Sequence, residues 1–416
     1  MASRQSQPQR NIRAYFKPLL LTALCGSFIQ CSSGSKKADP PGGKWKSRMQ
    51  ELGEALVDIY PYLLSRKEFN APENRQKIQQ SAKRLASLAH NVNKQRAKSK
   101  LNTLDRDPLV SVISNNLDGD LNLATEALQN GEMDLSRTVL KNAAFTCVRC
   151  HSRGSWGPQL VNWKKNENFQ KLQPLEKGTL LAAVRLYDQA LVQLKDILAN
   201  EELASKEPNT LVKATDLALN VTVRVQQDPA EAERVVQAVL SNTALPLFQR
   251  SSAEDWLQAV QRWKGEKSRK KESLLAKAKR ILKKIWKEED YRGDRSFYID
   301  RLRASALLHD FLRTKASRGD HAKALLYLGN FHDLEADMGI SDTNEIYYKA
   351  CIKHLPHSET SLECYRNLER NVFLDYPDRG VFSFPRSMMD HLRALRDLAT
   401  PIEEKSDFGK GMFERE

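Results

Sequence analysis

The chain has 416 residues, of which 40% are apolar and 28% charged, enough folded chain for two or three domains. Its 18 Gly, 16 Pro and 6 Cys exclude the collagen-like, low-complexity and disulfide-dense classes, and no apolar run reaches the roughly 18 to 20 residues of a membrane span. The formal net charge of +14 favours acidic partners or anionic surfaces. Arg4, Arg10, Arg13 and Lys17 lie in the first 30 residues, which hold no acid, and the remainder is basic without them.

Behind this basic stretch comes a short apolar run, residues 18–29 (PLLLTALCGSFI), followed by Gln30, Cys31 and Ser32-Ser33-Gly34-Ser35. An apolar core of 12 residues is too short to cross a bilayer and suits an export signal. A Cys directly after the run, followed by a Ser/Gly tether, resembles a bacterial lipoprotein signal. That resemblance implies lipidation at Cys31 and a membrane-anchored protein in the periplasm. Phe28-Ile29-Gln30 departs from the Leu, small residue and Gly or Ala that such signals favour, and ordinary signal cleavage nearby is the alternative. Cys25 is the poorer lipidation candidate, because cleavage there leaves only about seven apolar residues.

From Trp45 onward the pattern is helical. Met49, Leu52, Leu56, Ile59 and Leu63 recur at steps of 3 and 4, one face of a helix. Ile78, Ala82, Leu85, Ala89 and Val92 repeat the pattern, and residues 93–100 read as a loop or frayed end. Asp107-Pro108 starts a third helix with an N-cap and a Pro at the first position. Leu117, Leu121, Ala124 and Leu128 form its face, and Asn130-Gly131 ends it. A fourth helix carries Leu140, Ala143, Cys147 and Cys150 on one side. Four amphipathic helices in about 110 residues predict an antiparallel four-helix bundle over residues 45–153, behind a signal (1–31) and a tether (32–44).

The fourth helix ends in Cys147-Val148-Arg149-Cys150-His151. C-x-x-C-H is the attachment motif for c-type haem. Two thiols three residues apart at a helix end can add to the two vinyl groups of one haem, with the adjoining His beneath the iron. The alternatives are weaker. A zinc site needs further ligands, and Cys351 and Cys364 are 13 residues apart. A thioredoxin-type pair needs a βαβ setting. A plain disulfide across two intervening residues remains open in an exported protein.

A C-x-x-C-H that closes the last helix of a four-helix bundle resembles the class II cytochromes c, the cytochrome c′ group. The likeness covers about a quarter of the chain and includes Met49-Gln50-Glu51-Leu52-Gly53, which fits the family's Met-x-x-Ile/Leu-Gly in helix one. It implies one covalent haem c on Cys147, Cys150 and His151, with Met49 as sixth iron ligand where the haem is low-spin. Core packing is the alternative for Met49, and His90 is the other possible ligand. The family continues its last helix past the motif, often with an Arg or Lys a few residues on. Here Arg153 takes that place, Gly154 breaks the helix, and Trp156 can cover the haem edge.

Gly154-Ser155-Trp156-Gly157-Pro158 opens a linker over residues 154–176. A second helical region (177–390) and a C-terminal helix or tail (391–416) follow, with no alternating strand pattern. Residues 180–198, 211–225 and 232–240 read as helices. Leu325, Leu328-Gly329, Tyr348, Cys351 and Pro356 resemble a tetratricopeptide repeat. Cys351 and Cys364, on consecutive helices in an oxidising compartment, are expected to form a disulfide, and His354 and His357 read as loop residues. Residues 262–287 hold twelve Lys/Arg against two Glu. They predict a solvated helix docked by Leu274, Ala278, Ile281 and Ile285, or else contact with an anionic membrane surface or acidic partner.

The expectation is an all-α protein, a haem-bearing bundle joined to a repeat-like solenoid. It would transfer single electrons without being an enzyme, and would dock a redox partner or envelope protein but no nucleic acid. The rival is a periplasmic scaffold lipoprotein whose haem senses redox state or a diatomic gas. A peroxidase would need distal acid and base groups that the sequence does not clearly offer.

Overall fold

A computed structural model describes residues 43–98, 107–160, 167–267, 272–285, 297–336, 343–374 and 385–402. Among the described residues every regular element is helical and no strand occurs, so the chain is all-α. The signal-like segment, with Cys25 and Cys31, lies outside them.

Helix α1 (Gly43–Leu64) buries Leu52, Leu56, Ile59 and Leu63, the face that the sequence spacing marks. A short helix α2 (Arg66–Asn70), capped by Ser65, adds the buried Phe69. Helix α3 (Pro72–Lys98) buries Ile78, Ala82, Leu85, Ala89 and Val92. It runs on through residues 93–98, where a loop or frayed end is expected from sequence, because no Gly or Pro interrupts a run rich in good helix formers. Asp107 caps α4 (Pro108–Asn130) by accepting from the Leu109 amide at 3.1 Å. Gly131, in the left-handed region at φ 80°, closes that helix as its lack of a Cβ allows. Helix α5 (Met133–His151) buries Leu140, Ala143 and Ala144. Helix α1 packs on α3, α3 on α4, α4 on α5, and α5 returns to α1.

The chain continues through α6 (Glu167–Gln170) and α7 (Pro174–Ala183), which starts at a Gln173/Glu176 capping box. The apolar pattern over residues 180–198 predicts one helix, but the structure has two. Helix α7 stops at Ala183, Arg185 takes a left-handed φ of 67°, and α8 (Tyr187–Leu198) begins anew. Helical periodicity spans the break, so the pattern alone does not show it. Helix α7 joins the core of α1, α3, α4 and α5.

A second core gathers α8, α9 (Glu201–Lys206), α10 (Pro208–Leu219), the π-helical turn Asn220–Val225, α11 (Pro229–Ser241) and α12 (Leu247–Lys264). A third gathers α13 (Leu274–Ile285), α14 (Tyr298–Leu312), α15 (Arg318–Ala336), α16 (Thr343–His354), α17 (Glu359–Leu374) and α18 (Arg386–Ala399). Leu109 and Ile113 of α4 belong to this third core, and α16 packs on α4.

Helix α13 docks by the buried Ala278, Ile281, Leu282 and Ile285, the face its periodicity marks, but the single helix expected over 262–287 is broken, with α12 ending at Lys264 and α13 starting at Leu274. Arg280 pairs with Glu266 and Glu272. In α15 a Cβ on Gly329 would meet the ring of Tyr348 at 2.3 Å, so this glycine lets α16 approach closely. A disulfide between Cys351 and Cys364 ties α16 to α17. His354 and His357 are half-buried rather than loosely solvated. The His354 carbonyl accepts from Arg318, and His357 Nδ1 donates to the Thr400 carbonyl at 3.0 Å.

Candidate functional site

The last turn of α5 brings Cys147, Cys150 and His151 to one groove. The i, i+3 spacing sets both sulfurs on the same side of the helix. Met49 of α1 lines the same groove. Apolar walls come from Leu52, Val92, Val110, Ile113 and Leu117, and Trp45 and Trp156 line it too. The groove is open to solvent, with about 780 Å³ between its walls, mouth included. A smaller space of about 380 Å³ adjoins it, also lined by Met49, Cys147 and His151, with Gly53 and Leu160 beyond.

His151 Nδ1 lies 2.5 Å from the carbonyl oxygen of Ala183. A carbonyl can only accept, so Nδ1 carries the proton. Burial, and then the charge of Arg185, push the imidazole down to about 4. The ring is therefore neutral at pH 7, and its Nε2 keeps a lone pair. Ala183 ends α7, so its carbonyl is one that the helix leaves without a partner. In return Tyr187, the first residue of α8, donates its hydroxyl to the His151 carbonyl at 2.9 Å. The end of α5 and the break between α7 and α8 thus satisfy each other.

Cys147 and Cys150 are not joined by a disulfide. Burial, and then the neighbouring Cys150, push the Cys147 thiol up to about 12. It stays protonated at neutral pH, unlike the low-pKa thiols of redox C-x-x-C sites. Among the described residues no group of three His, Cys, Asp or Glu is gathered as a zinc site requires.

The segment after α5 is fixed against the same elements. Gln50 donates to the Gln159 carbonyl at 3.3 Å, and the Leu160 amide donates to the Val184 carbonyl at 3.2 Å. Gly154 leaves room for the indole of Trp156, whose nitrogen would sit 2.6 Å from a Cβ there. Residues 161–166 of the expected linker lie outside the described residues.

His90, the rival ligand in sequence, is exposed and pairs with Asp118 at 3.1 Å. Arg153 does not line the groove. It is buried against Asp107 and Tyr347. Sequence reasoning missed the Ala183 carbonyl, Tyr187 and Arg185. A backbone carbonyl carries no signature, but Arg185 had a weak one, a lone charge inside the apolar run 180–186.

No protein-family model, no curated protein and no solved structure matches this chain.

Proposed function

We propose that this chain is an exported c-type haem protein that transfers single electrons. Cys147 and Cys150 would hold the haem through thioether bonds, and His151 and Met49 would supply ligands to its iron. We read α1, α3, α4 and α5 as a four-helix bundle of the cytochrome c′ kind, and the helices beyond residue 177 as a tetratricopeptide-like region that docks a redox or envelope partner. The lipoprotein-like signal supports periplasmic anchoring at Cys31, and the basic face of α13 suits an anionic membrane surface.

The observation that carries this reading is the bond from His151 Nδ1 to the Ala183 carbonyl, in a groove that also gathers Cys147, Cys150 and Met49. Metal-ligating histidines are typically held this way, with the second ring nitrogen bonded to a carbonyl so that the first presents its lone pair. The donor set fits haem c: two thiols, one neutral imidazole and one thioether among apolar walls. Haem, when bound, supplies a one-electron iron couple. The chain's own part is to fix the imidazole's tautomer, keep the Cys147 thiol protonated until it reacts, and exclude water with the apolar wall. A thioether ligand such as Met49 would favour reduced iron and raise the potential.

Expression of the full chain with a cytochrome c maturation system should yield a covalently haem-stained band. Cys147→Ala/Cys150→Ala should abolish it. A correctly exported wild-type chain without covalent haem refutes the proposal.

A further inference from the structure

Arg185 is 2% exposed, yet it lines the groove. Among the described residues no Asp or Glu pairs with it: its charged and polar neighbours include Tyr187, Cys150, Arg313 and His151. One guanidinium nitrogen donates to the Gly154 carbonyl at 3.0 Å, while the buried Nε has no partner. The guanidinium carbon stands 5.9 Å from the Trp156 ring centre and 5.6 Å from that of Tyr187. Trp156 carries a second buried donor without a partner, its indole Nε1, and it lines the same groove.

A buried cation is costly unless paired, and aromatic faces compensate only in part. The fold also takes on backbone strain to hold this one, since Arg185 sits at φ 67°. Gly157, at φ 113°, leaves space for the guanidinium, whose carbon would lie 3.2 Å from a Cβ there. Burial, the largest cause, lowers the Arg185 pKa, and Arg313 adds to it. A groove that holds a desolvated positive charge and two donors without protein acceptors suits an anion.

We propose that Arg185 and Trp156 form a carboxylate-binding subsite of the groove, and that it receives a propionate carboxylate of the porphyrin. The inference rests on the haem reading above and extends it. His151 and the two cysteines would fix the macrocycle at its iron and vinyl groups, and Arg185 would fix its acidic edge. A guanidinium suits this role because its planar fork matches a carboxylate.

The test titrates the full-length apo chain with iron mesoporphyrin IX and with its dimethyl ester. Mesoporphyrin has ethyl groups where haem has vinyls, so the cysteines cannot react and an equilibrium is read. The ester keeps the iron and the ring but has no free carboxylates. Wild type should bind the diacid about tenfold or more tightly than the ester, the size of a charged hydrogen bond. Arg185→Gln should bring the two to within about threefold, and Arg185→Lys should restore part of the preference. Equal affinities in wild type, or an unchanged preference in Arg185→Gln, overturn the subsite and leave the haem reading standing. Failure of wild type to bind either porphyrin overturns both. If Arg185→Gln does not fold by circular dichroism, the diacid-to-ester ratio of wild type decides.

Discussion

A guanidinium nitrogen of Arg153 lies 3.3 Å from a carboxylate oxygen of Asp107, with both side chains buried. Asp107 precedes α4 and Arg153 follows α5, so the pair joins the entry of one helix to the exit of the other. The C-terminal region completes it. Tyr347 of α16 donates to Asp107 at 3.1 Å and accepts from Arg153 at 3.2 Å, and His309 Nδ1 of α14 donates to Asp107 at 2.9 Å. His332 stacks on the Tyr347 ring. The network begins two residues beyond His151, which ties the groove's supporting turn to the C-terminal helices.

Arg153→Met should therefore destabilise the chain by about 3 to 5 kcal/mol, because the buried Asp107 charge loses its counter-ion. Asp107→Asn/Arg153→Met should cost less than Arg153→Met alone, since Asn still caps α4 and no bare charge remains. Urea unfolding of wild type, both single variants and the double variant measures the coupling. A double variant that loses as much as the sum of the singles would show that the two residues act independently.

The same network sets an acid sensitivity. Burial, chiefly, pushes His309 down to about 4 despite its bond to Asp107. The folded chain then refuses a proton that the unfolded chain accepts from about pH 6.5 down. Stability is lost as pH falls from about 6.5 toward the depressed folded value of His309, and His151 acts in the same direction. Burial alone would raise the pKa of Asp107, but Arg153 and the His309 hydrogen bond hold it well below the usual carboxylate range. Its contribution is present above its unfolded value and lost below it, so the decline continues into stronger acid. Thermal unfolding of the apo chain across this window should show the fall, and His309→Asn, which keeps a donor for Asp107, should flatten it.

Met49 is half-buried and lines the groove. If its thioether binds iron, the reduced holoprotein is low-spin and takes up CO slowly. Met49→Ala should then be high-spin and bind CO readily. Folding should suffer less than the about 2 to 5 kcal/mol of a fully buried Met→Ala change. A folded variant with an unchanged spectrum would assign Met49 to packing alone. A wild type that is already high-spin would favour gas binding over electron transfer.

Gly329→Ala should destabilise the third core by about 1 to 3 kcal/mol through overpacking against Tyr348, although Ala is the better helix former by about 1 kcal/mol. Tyr348→Leu in the Gly329→Ala background should recover part of the loss in a denaturant midpoint. An Ala variant as stable as wild type would mean that α15 and α16 can shift apart freely.

If Cys31 is lipidated as proposed, Cys31→Ser should move the mature protein from the membrane to the soluble periplasmic fraction, because acyl chains would be its anchor. Equal partition of wild type and variant in cell fractionation would reject lipidation at Cys31.

The sequence by itself determined what depends on near neighbours. Helix faces follow from spacings of three and four, so the buried residues of α1 and α3 are read directly. Caps such as Asp107 and Gly131 act within a turn of their own position. Cys147, Cys150 and His151 stand out because the C-x-x-C-H spacing that the proposed haem attachment needs is itself local. Tertiary structure decided what depends on distant partners. His151 takes its tautomer from a carbonyl 32 residues on, and Arg153 turns from the groove to Tyr347, 194 residues on. The break at Arg185 lies inside an unbroken helical pattern, and it occurs where the end of α5 and the 154–160 turn pack against it. A backbone carbonyl or a buried cation has no local signature, because its energy comes from whatever the fold brings against it.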